Sequence, residues 1–178
     1  MADILIIFLM PVLLVGGGLA IARFRRLSPI EDLGFRLPTA RDALLWGIGF
    51  LALAVTVELL SYAVGEDPGG SWRGKYGPMD LAVRLIAIPL VYPIAEEFFF
   101  RGALLGALRK RFGDSVAILG SSAVFALAHM QYDWRGMAMV LADALFFAVC
   151  RVRTGSLYLV MAFHIAGNSF AAWQRLYA

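Results

Sequence analysis

The sequence predicts an all-α polytopic membrane protein, with about six transmembrane helices around a buried polar site. Three observations carry that reading. The chain is 61% hydrophobic and 16% charged, where a soluble domain carries about 25% charged residues. Its mean hydropathy is +0.75. Six apolar runs, at about 3–22, 42–64, 80–102, 114–131, 136–150 and 156–174, match or approach the roughly 20 residues a spanning helix needs. Backbone polar groups in lipid must bond within their own segment, so each run is predicted helical.

The first run has the look of a signal-peptide core. However, no Lys or Arg precedes it, and Arg23, Arg25 and Arg26 follow it. That reverses a signal peptide's charge order, so a retained span with its N-terminus outside is expected. Gly16, Gly17 and Gly18 allow another helix to approach closely. After the second run comes a Gly- and Pro-rich stretch, GEDPGGSWRGKYGPMD, which reads as a turn-forming outside loop. The third run carries Pro93, which frees the carbonyl four residues upstream and is expected to kink the helix. Residues 102–111 place Leu104, Leu105 and Leu108 beside Arg109, Lys110 and Arg111, the pattern of a helix running out to the interface. Gly102 and Gly106 again suit close packing. The fifth run is the shortest and carries Asp143 and the single cysteine, Cys150, expected to be a buried structural thiol. Glu58 and Arg84 fall at similar depths on consecutive spans, and a structural ion pair is expected there. The whole chain, 1–178, reads as one transmembrane domain. Its polar motifs lie within about 80–170, and two spans and an outside loop make up 1–79.

Basic residues set the topology. With the N-terminus outside, the inside loops hold ten: Arg23, Arg25, Arg26, Arg36, Arg41, Arg109, Lys110, Arg111, Arg151 and Arg153. The outside regions hold four, Arg73, Lys75, Arg135 and Arg175, and Arg84 and Arg101 within spans complete the 16. Under the positive-inside rule this asymmetry predicts both termini outside.

Composition also excludes. One cysteine forbids an intrachain disulfide, and no CxxC is present. No basic run is interleaved with exposed aromatics, so nucleic acid is not an expected partner. No aspartate-rich magnesium site exists for prenyl-diphosphate chemistry.

What remains is a set of polar residues inside apolar runs. Glu96 and Glu97 stand together in the third run, and each carboxylate near a bilayer centre costs about 2.5–3.5 kcal/mol. Intramembrane charges of this kind mark functional sites by default. Glu97 and Arg101, Phe125 and His129, and His164 and Asn168 are each four residues apart. On a helix that spacing stacks two side chains on one face, so three polar faces are expected to meet. Glu97 lies over Arg101 as an ion pair. Glu96 points about 100° away around the helix and is freer to face a cavity. A carboxylate in a low-dielectric site beside a second carboxylate gains basicity and can act as a general base. Glu96 with His129 can bind and deprotonate a water. A His and an Asn one turn apart can hold a developing oxyanion. Together these outline water attack on an amide carbonyl.

Glu96-Glu97-x-x-x-Arg101, Phe125-x-x-x-His129 and His164-x-x-x-Asn168 resemble the three motifs of the CPBP intramembrane protease family, which includes CAAX prenyl endopeptidases and bacteriocin-processing (Abi) proteins. The resemblance covers about residues 80–170. It implies a glutamate-type intramembrane endopeptidase, with Glu96 as general base assisted by His129 and with His164 and Asn168 at the oxyanion. Glu97 and Arg101 then orient the site or the substrate backbone. Phe125 packs beside the site, and Asp143 is a candidate for orienting His129. Glu96, His129 and His164 are also the residue types of a two-His-one-carboxylate metal site. No HExxH is present, and the resemblance implies catalysis without a metal or other cofactor. The implied partners are the lipid bilayer and a peptide or protein with a hydrophobic or lipidated tail. The implied location is a bacterial inner membrane. Chain length favours a bacterial membrane peptide, such as a C-terminal sorting tail or a precursor, over a prenylated CAAX-like tail. Oligomeric state is not legible. Two other classes fit the same residues: a membrane immunity or scaffold protein using the cluster for helix assembly, and a small proton-coupled transporter, although no internal repeat is visible.

Overall fold

The computed structural model of the protein describes residues 2–63, 65, 71–72 and 74–177, with side chains from Ile7 onward. Part of the predicted outside loop, residues 66–70 and Arg73, lies outside the described residues, as do the side chains that open the first run. The chain is an all-α polytopic membrane protein. Among the described residues there are six helical rods: α1 Ala2–Arg25, α2 Ala40–Ala63, α3 Pro78–Phe112, α4 Asp114–Leu127, α5 Trp134–Thr154 and α6 Leu157–Tyr177.

Rods α1, α2 and α3 have spans apolar and long enough to cross a bilayer. Rod α4 is shorter than its predicted run of 114–131, with 14 residues, about 21 Å at 1.5 Å per residue. Rod α5 is longer than its predicted run. Asp133 caps its start by accepting from Arg135 N and Gly136 N. Gly155, at φ +70°, ends it in the left-handed conformation that glycine tolerates.

The third run and the expected interface helix are one 35-residue rod, α3. It is not uniform. Two π-helical stretches, Ala87–Val91 and Phe98–Leu104, flank the α-helical turns Tyr92–Glu97. Instead of the expected freed carbonyl at Pro89, the chain adopts the wider register beside Pro93. Tyr92 N–H donates to Ala87 O, five residues back. In that register the next donor belongs to position 93 and serves Ile88 O, but Pro93 has no N–H. Asn168 Nδ2 on α6 donates to Ile88 O instead, at 3.1 Å.

Rod α3 is the centre of the bundle, with α1, α4, α5 and α6 packed on it. The glycines allow this where backbones approach. A Cβ on Gly17 or Gly18 would lie 3.1 Å from the Phe99 ring or 2.7 Å from the Phe98 ring, and one on Gly106 would lie 2.6 Å from Asp32 O. Gly16 meets nothing within 4 Å. The main core joins Phe98, Phe147, Cys150, Leu157 and Val160. Cys150 is buried, as expected.

Rod α2 has no buried residue and packs on α5 and α6, not on α3. Phe50 stacks on Phe163 with centroids 5.0 Å apart, and Trp46 meets Phe146 edge-on at 5.4 Å. Leu44, Leu51, Val55 and Leu59 on its other face are exposed, as a lipid-facing surface requires. This placement overturns the expected Glu58–Arg84 pair, because consecutive spans are not neighbours here. Arg84 pairs with Asp80 at 3.4 Å, and Glu58 accepts from Gln174 Nε2 at 2.6 Å.

Contacts gather basic residues at one end of the bundle. Lys110 Nζ reaches Arg26 O at 3.2 Å and Asp32 Oδ2 at 3.1 Å. Buried Arg151 donates to Asp32 O at 2.9 Å, and Ser156 Oγ donates to Arg36 O at 2.8 Å.

Candidate active site

Glu97 and Arg101 are fully buried and paired, Nη1 to Oε1, at 3.1 Å. The pair survives the passage from α-helical to π-helical turns between them. Arg101 ties three rods together. Its Nη2 donates to Ala144 O on α5 at 3.3 Å, and its guanidinium lies 4.1 Å from the centre of the Phe125 ring on α4. Cation–π contacts of this kind gain strength when desolvated. Ser122 Oγ on α4 also donates to Ala144 O, at 3.0 Å.

His164 on α6 completes the clamp. Its Nδ1 lies 2.8 Å from Glu97 Oε1, the same oxygen that receives Arg101. Only the imidazole can donate in that contact, so Nδ1 carries a proton. Nε2 then faces the second glutamate, with Glu96 Oε2 at 3.6 Å. The two carboxylates differ sharply in setting. The Glu97 side chain has no exposure, whereas those of Glu96 and His164 keep 13% and 11%.

His129 does not sit on a continuous helix with Phe125. Rod α4 ends at Leu127, and His129 lies in the turn beyond it. Its Nδ1 donates to Phe125 O at 2.8 Å, closing off an orphan carbonyl at the helix C-terminus. The side chain therefore keeps its four-residue relation to Phe125 although the helix has stopped. The bond also fixes the tautomer and leaves Nε2 with a free lone pair. Phe125 is the shared wall: its ring centre is 4.6 Å from that of His129 and 6.1 Å from that of His164.

All three predicted motifs thus converge, and Phe125 joins the two imidazoles. Asp143 lies on α5, next to Ala144, whose carbonyl accepts from Arg101 Nη2. Asn168, one turn along α6 from His164, gives one amide hydrogen to Ile88 O. Among the described residues no three His, Cys, Asp or Glu side chains are grouped closely enough to hold a metal ion. Ser122, Tyr132 and Phe147 escaped the reading of the sequence. The Phe147 ring centre is 5.5 Å from that of His164, and Tyr132 stacks on His129 at 6.2 Å. The Ser121-Ser122 pair inside an apolar run was a readable signal, whereas no spacing marks the two aromatics.

Chemically, the cluster sets a partly accessible carboxylate beside the His164 imidazole, with His129 linked to it through the Phe125 ring and neither Nε2 spent on a helix bond. A buried arginine–carboxylate pair holds the assembly from behind.

Comparison with known proteins gives the following. The sequence profile of a family described as "Type II CAAX prenyl endopeptidase Rce1-like" matches residues 78–170. The chain is 26% identical over 141 residues to the "Putative membrane peptidase YdiL" of Bacillus subtilis (strain 168), covering 75% of this chain and 57% of that protein. It is 32% identical over 93 residues to the "Uncharacterized 24.3 kDa protein" of Escherichia coli, covering 51% of this chain and 43% of that protein. The chain therefore spans about half the length of these curated relatives. No solved structure matches.

Proposed function

Because the chain belongs to the Rce1-like family of type II CAAX prenyl endopeptidases, we propose that it is an intramembrane endopeptidase that cuts a membrane-associated substrate with a glutamate-activated water. The observation that carries this reading is the division between the two glutamates. Glu97 is sealed and its Oε1 is committed to Arg101 and His164, while Glu96 remains partly accessible beside His164 Nε2.

In this mechanism Glu96 is the general base. It takes a proton from water as the water oxygen bonds to the scissile carbonyl carbon, and the carbonyl electrons move to oxygen. His129 Nε2 accepts the water's other hydrogen and orients it. In this scheme His164 acts in its protonated form, held through Nδ1 by Glu97, and its Nε2–H donates to the oxyanion. The second amide hydrogen of Asn168 is the other donor. When the intermediate collapses, the C–N bond breaks and Glu96 returns the proton to the leaving amine. Glu97 and Arg101 position His164, and Phe125 supports both rings. Asp143, next to the Ala144 carbonyl that Arg101 holds, supports the site from α5.

The substrate proposed is a protein or peptide with a hydrophobic or lipidated tail, such as a sorting tail, a precursor peptide or a CAAX-like terminus. The protein would sit in a bacterial inner membrane, with its cation-rich end in the cytoplasm and both termini outside, as its basic residues favour.

The experiment is mass spectrometry of membrane peptides from cells carrying the parental protein or Glu96→Gln. Accumulation of a full-length precursor in the Glu96→Gln cells is expected and gives substrate and cut site together. Identical peptide sets from both cells would instead favour the scaffold reading.

A further inference from the structure

The cation-rich end of the bundle holds a second feature, built from the last turns of α1 and α3. A cleft of about 540 Å³ opens between them, with Phe24, Leu104 and Leu108 among its apolar lining and Arg25 at its edge. A hollow of about 210 Å³ adjoins it through Arg25 and is lined by Lys110 and Arg111. The two share residues and form one amphipathic groove, an apolar floor under a cationic rim.

Charge on that rim is not balanced. Among the described residues, Lys110 is the one of the three cations with a carboxylate partner, Asp32 at 3.1 Å. The Arg111 guanidinium lies 5.2 Å from the Phe112 ring centre, a contact that leaves its charge uncompensated. Phe24, 82% exposed beside Arg25, needs an apolar neighbour that the protein does not supply.

We propose that this groove binds an anionic phospholipid. Its phosphate sits on Arg25, Lys110 and Arg111, and one acyl chain runs along Phe24, Leu104 and Leu108. Two features of the groove select this occupant. Clustered cations at a membrane-facing helix end attract anionic head groups and discriminate against zwitterionic ones. The apolar floor offers nothing to a soluble anion, whereas an acyl chain enters it from the bilayer with no desolvation cost and gains packing contacts. The lipid bridges α1 to α3 at the end of the same contact that seats Gly17 and Gly18 under Phe99 and Phe98. It would therefore steady the rod that carries Glu96, yet it touches none of the glutamate–histidine cluster.

The test is thermal unfolding of the full chain in micelles with added dioleoylphosphatidylglycerol, dioleoylphosphatidylcholine or sodium phosphate. Dioleoylphosphatidylglycerol is expected to raise the midpoint by about 3–6 °C, the other two by much less, and R25Q/R111Q is expected to lose most of the gain. Equal shifts from the two lipids, an equal shift from sodium phosphate, or a full shift in R25Q/R111Q would each overturn the site. Should R25Q/R111Q not fold, Phe24→Trp with all cations intact gives a second reading. Brominated phosphatidylglycerol is expected to quench the added fluorescence several-fold more than brominated phosphatidylcholine, and equal quenching would overturn the proposal.

Discussion

His164 Nδ1 and Glu97 Oε1 lie 2.8 Å apart, and that oxygen also receives Arg101 at 3.1 Å. One carboxylate oxygen therefore locks α6 to α3 and fixes which imidazole nitrogen is left for chemistry. Removing one partner of a buried ion pair leaves a charge stranded, at a cost of about 3–5 kcal/mol. Arg101→Leu is expected to destabilise by that amount in denaturant titration in micelles. The double change Glu97→Leu with Arg101→Leu is expected to recover most of the stability and none of the activity, because His164 has then lost its anchor.

Asn168 combines a structural bond with a proposed catalytic one. Asn168→Ala leaves Ile88 O without its donor and is expected to cost roughly 0.6–1.7 kcal/mol, the range for such interhelical bonds in membranes. Asn168→Asp, an acceptor only when ionised, is expected to cost more. Thermal melts of both variants check this, and cleavage assays on the same samples separate the two roles.

His129 lies in a turn rather than within a packed rod, so its removal is expected to be mild for the fold. His129→Ala is expected to shift stability by less than about 1 kcal/mol while lowering the cleavage rate by about 10²-fold or more. A melt and a rate on one preparation suffice.

Two glycines make a matched pair. A methyl at Gly106 would stand 2.6 Å from Asp32 O, whereas one at Gly16 meets nothing within 4 Å. Gly106→Ala is expected to cost about 1–3 kcal/mol through backbone displacement. Gly16→Ala is expected to be neutral or slightly stabilising, from helix propensity alone. Melting midpoints of the two variants provide the check.

Much of this was legible from spacing. Glu97 and Arg101 are one turn apart, and one turn apart is where they meet. The six rods followed from apolar run length, because lipid leaves the backbone no alternative to a helix. Other features were hidden for definite reasons. Which rods touch is a tertiary property, so Glu58 and Arg84, matched in depth, sit on rods that do not pack together. The widened turn at Pro93 depends on how α3 meets α6, and with it the Asn168–Ile88 bond. The end of α4 at Leu127 carries no Gly or Pro signal; an imidazole caps it instead. The Glu97–His164 contact joins residues 67 positions apart, a separation at which periodicity says nothing.

The decisive measurement is the single-turnover cleavage rate of Glu96→Gln against the parental protein, in matched proteoliposomes, on a substrate mapped by the peptide comparison. The amide preserves shape and hydrogen bonding but cannot take a proton from water, so a folded Glu96→Gln protein should show no cleavage above the uncatalysed background. Parental-rate cleavage by that variant would remove Glu96 as the base, and the proposed mechanism with it.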